Sequence, residues 1–311
     1  MKTTPQILVI KLSALGDFVQ ALGPMQAIRK HHKDAHITLI TSKGLEKIGR
    51  ECGYFDDIII DNKPSFIDLT GWLSLRSIMN KGNFDRVYDL QNNDRTSLYF
   101  KLFKNPKPEW VGTAKGASHR NVNPLRTAGH AFDGHVQTLN GAGIKTVKID
   151  NLSWMDNDIS AFDLPARYAL IIPGCAPSRP EKRWPEIHFS ALCNALTAKN
   201  ITPVLIGGSD EVEIGNAICE QSPKTINLIT KTVLTDIPAL ARKAALAIGN
   251  DTGPMHFIGP AGCKSLVLFS SHSDPVRHKP LGPNVETIQK ENIDDITPED
   301  IIERVEQMIN I

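Results

Sequence analysis

A chain of 311 residues is long for one hydrophobic core, so two domains are expected, and its 41% apolar and 22% charged residues are the balance of an ordinary globular protein. A formal net charge of +1 offers no general affinity for nucleic acid. No apolar run reaches the ~18 residues of a membrane span, and Met1-Lys2-Thr3-Thr4-Pro5 leads straight into a strand rather than a signal peptide, so a cytoplasmic protein is expected. The five cysteines, Cys52, Cys175, Cys193, Cys219 and Cys263, are scattered and form no CxxC pair; they read as reduced small hydrophobes.

In chain order, Gln6 to Leu12 is a nearly continuous apolar strand, the mark of a parallel sheet covered on both faces. A turn, Ser13-Ala14-Leu15-Gly16-Asp17, precedes helical spacing at Phe18, Leu22, Met25 and Ile28, which Gly23-Pro24 interrupts or restarts. Strands are then expected near His36 to Thr41, Asp57 to Asp61, Asp85 to Leu90 and Trp110 to Gly112, with helical segments between them. Such alternation predicts a doubly wound α/β unit. Regularity fades from Lys145 to Arg167, which reads as a linker rich in Asp, Asn and Ser.

A second series starts at Tyr168 to Ile172 and continues with strands at Pro203 to Ile206, Leu246 to Ile248 and Ser265 to Phe269. Helices are expected over Pro185 to Lys199, Ser209 to Gln221 and Asp236 to Ala244. The final segment from Thr297, with Ile301, Ile302, Val305, Met308 and Ile309, has a cap, an acidic first turn and an apolar face. The boundary is set at 1–150 and 151–311, with the last helix left free to pack back on the first domain. Two such units form a cleft with their strand ends facing it, the default place for a ligand.

Candidate chemistry falls at the strand ends. Gly249-Asn250-Asp251-Thr252-Gly253-Pro254-Met255-His256 reads as strand, polar turn and helix start, with Asp251 or Thr252 as cap; it suits a phosphate or is simply a well-made cap. Asp17 is either a carboxylate base or a first-turn acid favoured by the helix dipole, and Ser13 either a cap or a ligand contact. The loop Pro173 to Pro185 places Arg179, Lys182 and Arg183 between a strand end and a helix, either as solvated charges or as partners of a diphosphate. Glu211, after Gly207-Gly208, suits ribose hydroxyls or a helix first turn. No GxGxxG follows either first strand and no GxxxxGK[ST] occurs, which weakens nicotinamide, flavin and P-loop readings. Asp156-Asn157-Asp158 has a DxD form but lies in the acidic linker and reads as a solvated turn. His31-His32 falls at a helix end, where histidines are ordinary, and no metal-ligand constellation is expected.

Taken together, Ile7 to Asp17, Asp89-Leu90-Gln91, Lys182-Arg183-Trp184-Pro185 and Gly249 to His256 resemble glycosyltransferase family 9, the ADP-heptose:lipopolysaccharide heptosyltransferases, over nearly the whole chain. The resemblance implies a GT-B architecture of two Rossmann-like doubly wound domains facing a central cleft, with the acceptor on the first and the nucleotide sugar on the second. It implies inversion at the anomeric carbon with no metal and no cofactor beyond the ADP-heptose donor. It casts Asp17 as the base and Lys182 as the phosphate lysine. Asp251, Thr252 and Gly253 become the diphosphate turn, Glu211 the ribose acid, and His256 the close of the same motif. Pro177-Ser178 departs from the family's two hydroxyl residues, leaving Ser178 as the phosphate contact.

Between Arg95 and Arg126 lie seven Lys or Arg residues, among them Arg95, Lys115 and Arg120, against one acid, Glu109. This is either a solvated surface or attraction to an anionic glycolipid acceptor, and hence peripheral contact with the inner membrane surface. A nucleotide-sugar epimerase of the same architecture and a noncatalytic nucleotide-sugar binder are the competing functions.

Overall fold

A computed structural model describes residues 4–309; the Met1-Lys2-Thr3 start read above lies outside them. The chain divides into two compact units, Met1–Asp150 and Asn151–Ile311. The first contains β1 (Gln6–Ile10), α1 (Leu15–His31), β2 (His36–Thr41), α2 (Glu46–Glu51), β3 (Asp57–Ile60), α3 (Leu69–Lys81), β4 (Arg86–Asp89), α4 (Asp94–Leu102), β5 (Glu109–Gly112), β6 (His119–Arg120) and α5 (Ala131–Gly141). Its strands pair in parallel in the order β3-β2-β1-β4-β5-β6. Leu8, Val9 and Ile10 are buried whichever face they point to, as a strand covered by helices on both sides requires. On one face Leu8, Ile10, Val87 and Trp110 pack with Leu75 and Met79 of α3 and Tyr99 and Phe100 of α4.

Helix α1 runs unbroken through Pro24, correcting the expected interruption. A mid-helix proline costs about 3 kcal/mol, but Phe18, Leu22, Met25 and Ile28 are all buried. Each such side chain contributes about 1.5–3 kcal/mol, so the helix persists. Gly23 lets the chain after α5 approach closely: a Cβ there would lie 2.1 Å from the Lys148 carbonyl oxygen.

The second unit contains β7 (Tyr168–Ile172), α6 (Glu186–Ala198), β8 (Thr202–Leu205), α7 (Val212–Gln221), β9 (Ile226–Asn227), α8 (Ile237–Lys243), β10 (Leu246–Asn250), α9 (Met255–Ile258), β11 (Ser265–Phe269), α10 (Pro275–His278), β12 (Val285–Gln289) and α11 (Pro298–Ile309). The parallel order β12-β11-β10-β7-β8-β9 repeats the topology of the first sheet. β6, β9 and β12 were not legible in the sequence. The first two are two-residue pairings, too short to show a period, and β12 is a half-exposed edge strand.

Helix α11 packs within its own unit, where Ile301, Val305 and Met308 join Phe189, Leu192 and Leu196 of α6. The stretch 145–167 contains the boundary between the two units, as expected of a linker, and is held by contacts on either side of it. Asp150 is buried and accepts a hydrogen bond from the Tyr54 hydroxyl, while Leu152, Met155 and Ile159 are buried in the second unit. There Asp156 pairs with Arg242 at 2.5 Å, the Asn157 amide donates to Asp236 at 2.9 Å, and Asp158 accepts from the Ser160 N–H at 2.9 Å. The acids of the DxD sequence are thus spent on local structure.

Candidate active site

A doubly wound sheet places its ligand loops where the strand order reverses, at the carboxyl ends of the strands. In the first unit that point lies between β1 and β4, and in the second between β7 and β10. The chain following β1 carries Ser13 and Asp17, and the chain following β4 carries Gln91. The chain following β7 carries Lys182, and the chain following β10 carries Asp251 to Gly253.

In the second unit Asn250 joins three segments. Fully buried at the end of β10, its side-chain amide donates to the carbonyls of Pro173 (2.8 Å) and Gly174 (3.2 Å), and its oxygen accepts from the Trp184 N–H at 3.1 Å. Trp184 is itself fixed, its indole N–H donating to the Ile296 carbonyl at 2.7 Å and its ring meeting Phe189 edge-on. These contacts anchor both ends of the 173–184 loop. Lys182, on a single 3-10 turn, thereby reaches Asp251, with Nζ donating to Oδ2 at 2.7 Å. The Ser273 hydroxyl donates to the same oxygen at 2.7 Å.

Asp251 therefore does not cap the following helix, as the sequence suggested. Helix α9 has only four residues, and Pro254 stands at its N-cap with no side-chain cap. The Asp251 N–H is bonded to the Leu268 carbonyl, and the turn N–H groups resume at Met255, which bonds to the Thr252 carbonyl. Between them the N–H groups of Thr252 and Gly253 make no hydrogen bond among the described residues, beside the lysine. Pro254 has no N–H to offer. His256 is buried in α9.

Glu211 closes a 3-10 turn after Gly207-Gly208 and accepts from the Gly208 N–H at 2.7 Å. Its side chain lies on Gly174, where a Cβ would come within 2.5 Å of the carboxyl group. The loop after β8 therefore meets the loop after β7 only because residue 174 is glycine. Ser178 is exposed. Arg179 donates to Glu181 at 2.5 Å and to the His272 carbonyl at 3.0 Å, while Lys182 is the cation of this loop that meets Asp251.

In the first unit, Gln91 accepts from the N–H groups of Leu12 (2.9 Å) and Ser13 (3.2 Å), which fixes the chain entering α1. Asp17 lies in the first turn of α1, half-buried, and one of its oxygens accepts a long 3.4 Å bond from the Ala14 N–H. The cap reading and the base reading thus meet in one side chain, with one oxygen weakly engaged and the other without a hydrogen bond among the described residues. Beneath the loop, Lys11 is buried and donates to the Leu90 carbonyl at 3.4 Å; burial lowers its pKa, opposed by the negative charges of Asp17 and Asp89. Asp89 is also buried, and burial pushes its pKa up to about 6, against the N–H groups of Asn92 and Gln91, the Thr96 hydroxyl and Lys11. Its Oδ2 has no hydrogen-bond partner.

Of the residues expected to meet the acceptor, Lys115 and Arg120 are exposed, Arg120 donating to the Thr113 carbonyl at 3.2 Å. Arg95 is engaged internally: it donates to the Tyr99 hydroxyl (2.7 Å) and the Pro64 carbonyl (3.2 Å) and lies over the Trp72 ring. Asn250, Ser273 and Gly174 were missed as site residues. An amide ending an apolar strand and a glycine following one were the available signals for Asn250 and Gly174. Ser273 has none, since its role depends on where the chain after β11 returns.

Two doubly wound parallel sheets with ligand loops at both reversal points define the GT-B class of α/β protein. Residues 72–301 match the model of glycosyltransferase family 9 (heptosyltransferase), and the chain belongs to that family of transferases. Among curated proteins it is similar to the lipopolysaccharide core heptosyltransferase OpsX of Haemophilus influenzae, 25% identical over 91% of this chain and 84% of that protein. Among solved structures it is similar to a family 9 glycosyl transferase from Veillonella parvula, with a TM-score of 0.81 and 22% identity over 100% of this chain and 99% of the other. The Escherichia coli heptosyltransferase WaaC, solved with ADP, shares the fold at a TM-score of 0.73 and 17% identity, over 97% of this chain and 99% of that one.

Proposed function

We propose that this transferase moves a heptose or a related sugar from an ADP-sugar to a lipopolysaccharide core acceptor, with inversion and without a metal ion or other cofactor. The observation that carries the reading is the unequal equipment of the two reversal points. One holds a carboxylate, Asp17, with an oxygen left over. The other holds a lysine, an acid and a hydroxyl beside the unbonded N–H groups of Thr252 and Gly253. The relatives that bear a heptosyltransferase name support the sugar, and the relative solved with ADP supports the nucleotide.

On this reading Lys182 and the Thr252 and Gly253 N–H groups take up the charge that develops on the departing diphosphate. Glu211 meets the ribose hydroxyls, with Ser13, Ser178 and His256 completing the donor contacts. Asp17 accepts the proton of the acceptor hydroxyl as the glycosidic bond forms, general-base help worth roughly 100- to 10,000-fold. Lys115 and Arg120 draw in the anionic acceptor, and the protein works in the cytoplasm at the inner face of the membrane.

Incubation with ADP-sugars, with and without a lipopolysaccharide core acceptor, tests the reading. Glycosylated acceptor with released ADP is expected only when both substrates are present. Donor turnover without acceptor would make the protein an epimerase, and donor binding with no turnover would make it a binder.

A further inference from the structure

Beyond the active site, the most unusual surface of the first unit is the stretch between β3 and the middle of α3. Phe66, Ile67, Leu69 and Leu73 are 79%, 90%, 72% and 62% exposed. Single exposed leucines are ordinary on soluble proteins, but four large apolar side chains within eight residues are a patch, and patches of this kind mark interaction surfaces. Leu69 and Leu73 are one helical turn apart and share an exposed face of α3, while Leu75 and Met79 enter the core from another side of the helix.

The patch stands on a built support. Asp68 caps α3 by accepting from the Gly71 N–H at 2.8 Å, and the Trp72 indole N–H donates to the Ser65 carbonyl at 2.9 Å. Arg95 holds the Pro64 carbonyl and covers the Trp72 ring at 5.2 Å. These contacts hold the segment in place while its apolar side chains point to solvent.

Charge adjoins the patch in an orderly way. Farther along α3 the exposed face turns basic, and Leu73, Arg76, Lys81 and Lys104 line a shallow hollow of about 400 Å³ together with Ser77 and Asn80. That lining contains three cations and no acid. Arg76 begins ~5 Å past Leu73 along the helix axis, by the rise of an α-helix. Apolar side chains adjoined by cations on an exposed surface match a bilayer interface, where apolar groups enter ~5–10 Å and lysine or arginine stays at the phosphates. No helix among the described residues is long and apolar enough to cross a membrane, so the contact would be a docking and not a span.

We propose that Phe66, Ile67, Leu69 and Leu73, with Arg76, Lys81 and Lys104, form a docking surface for an anionic phospholipid bilayer. Position supports this occupant over a second copy of the chain. The segment follows β3 at the carboxyl edge of the first sheet, the edge from which Asp17 is presented, since all strands of that sheet are parallel. A bilayer held there brings lipid-linked sugar to the carboxylate. This last step rests on the glycolipid acceptor proposed above; the docking itself does not.

Vesicles of phosphatidylethanolamine with phosphatidylglycerol, free of lipopolysaccharide, test the docking by co-sedimentation of the full chain. The protein is expected to bind them and to bind vesicles of phosphatidylcholine alone more weakly. Two paired variants, Phe66→Ser with Ile67→Ser and Leu69→Gln with Leu73→Gln, alter exposed side chains only. Each is expected to lose binding at least ~10-fold, with turnover of a delipidated core acceptor unchanged. Arg76→Glu with Lys81→Glu should lose binding and most of its dependence on salt. Absence of vesicle binding, wild-type binding by the apolar variants, or binding only when lipopolysaccharide is included would overturn the proposal. So would self-association that the apolar variants abolish without any vesicle binding. Loss of docking in the variants of a protein that transfers no sugar would leave the surface standing and remove the glycolipid reading instead.

Discussion

Lys182 and Asp251, 69 residues apart, form an ion pair of 2.7 Å with only 16% and 8% of their side chains exposed. Ser273 binds the same carboxylate oxygen. Asn250, next in the chain to Asp251, holds the backbone on both sides of the lysine loop. The lysine is thus stored, neutralised and oriented, beside two unbonded N–H groups before any ligand arrives. On the proposed reading, a diphosphate that displaces Asp251 from Lys182 would meet a preformed cradle and order little on binding.

Breaking this pair separates stability from function. Lys182→Ala leaves a mostly buried carboxylate with Ser273 as its remaining side-chain partner and is expected to cost about 2–4 kcal/mol in urea denaturation. Lys182→Met combined with Asp251→Asn removes both charges and should recover most of that loss. ADP-sugar affinity, measured by calorimetry, should stay low in both. Recovery of affinity in the double variant would show that the lysine does not meet the diphosphate.

Asp17→Asn keeps the shape of the side chain and its bond to the Ala14 N–H but removes the basic oxygen. Turnover should fall roughly 100- to 10,000-fold with donor affinity unchanged. Near-wild-type turnover would return Asp17 to the role of a helix first-turn acid.

Gly174→Ala inserts a methyl group within 2.5 Å of the Glu211 carboxyl. The acid must swing away, so ADP-sugar affinity should fall by about the same factor as in Glu211→Ala, and stability by about 1–3 kcal/mol. Removing the obstacle as well, in Gly174→Ala with Glu211→Ala, should restore the stability but not the affinity. Additive stability losses would show that the clash is relieved elsewhere.

The buried Asp89 predicts a pH effect of definite sign. Folding raises its pKa from 3.8 to about 6 because burial disfavours the charge. Below pH 4 both states hold the proton. Between pH 4 and pH 6 the native state keeps a proton that the unfolded chain has released, so this group's contribution to stability falls as pH rises and is level above pH 6. Asp89→Asn lacks the ionisation. Its stability relative to wild type should therefore climb across that window, by at most about 3 kcal/mol. Urea denaturation at several pH values checks this; a difference that stays flat or declines with rising pH would refute it.

How far the sequence can be read depends on the range of the interaction. β1, β7 and β11 are visible because a strand covered on both faces must be apolar at nearly every position, and that is a local property. Tyr168 to Ile172 and Ser265 to Phe269 match the structure residue for residue. β10 runs on through Gly249 and Asn250, past the apolar run, because those residues still pair with Ile172, Val267 and Leu268. The short edge strands carry no such pattern. Pro24, a breaker by local rules, is overridden by the burial of its helix.

From composition and pattern alone the chain is determined to be two doubly wound α/β units, with polar, chemically able loops after β1, β7, β8 and β10. Those properties follow from the alternation of apolar strands with helices and from the residues at the strand ends, all set by near neighbours. Only the tertiary structure decides that Asp251 takes up Lys182 instead of capping its own helix, that Gly174 makes room for Glu211, and that Arg95 is spent beneath an apolar surface. Each of those outcomes is settled by a partner tens of residues away, brought into contact by the order of the strands and by the need to pair buried charge.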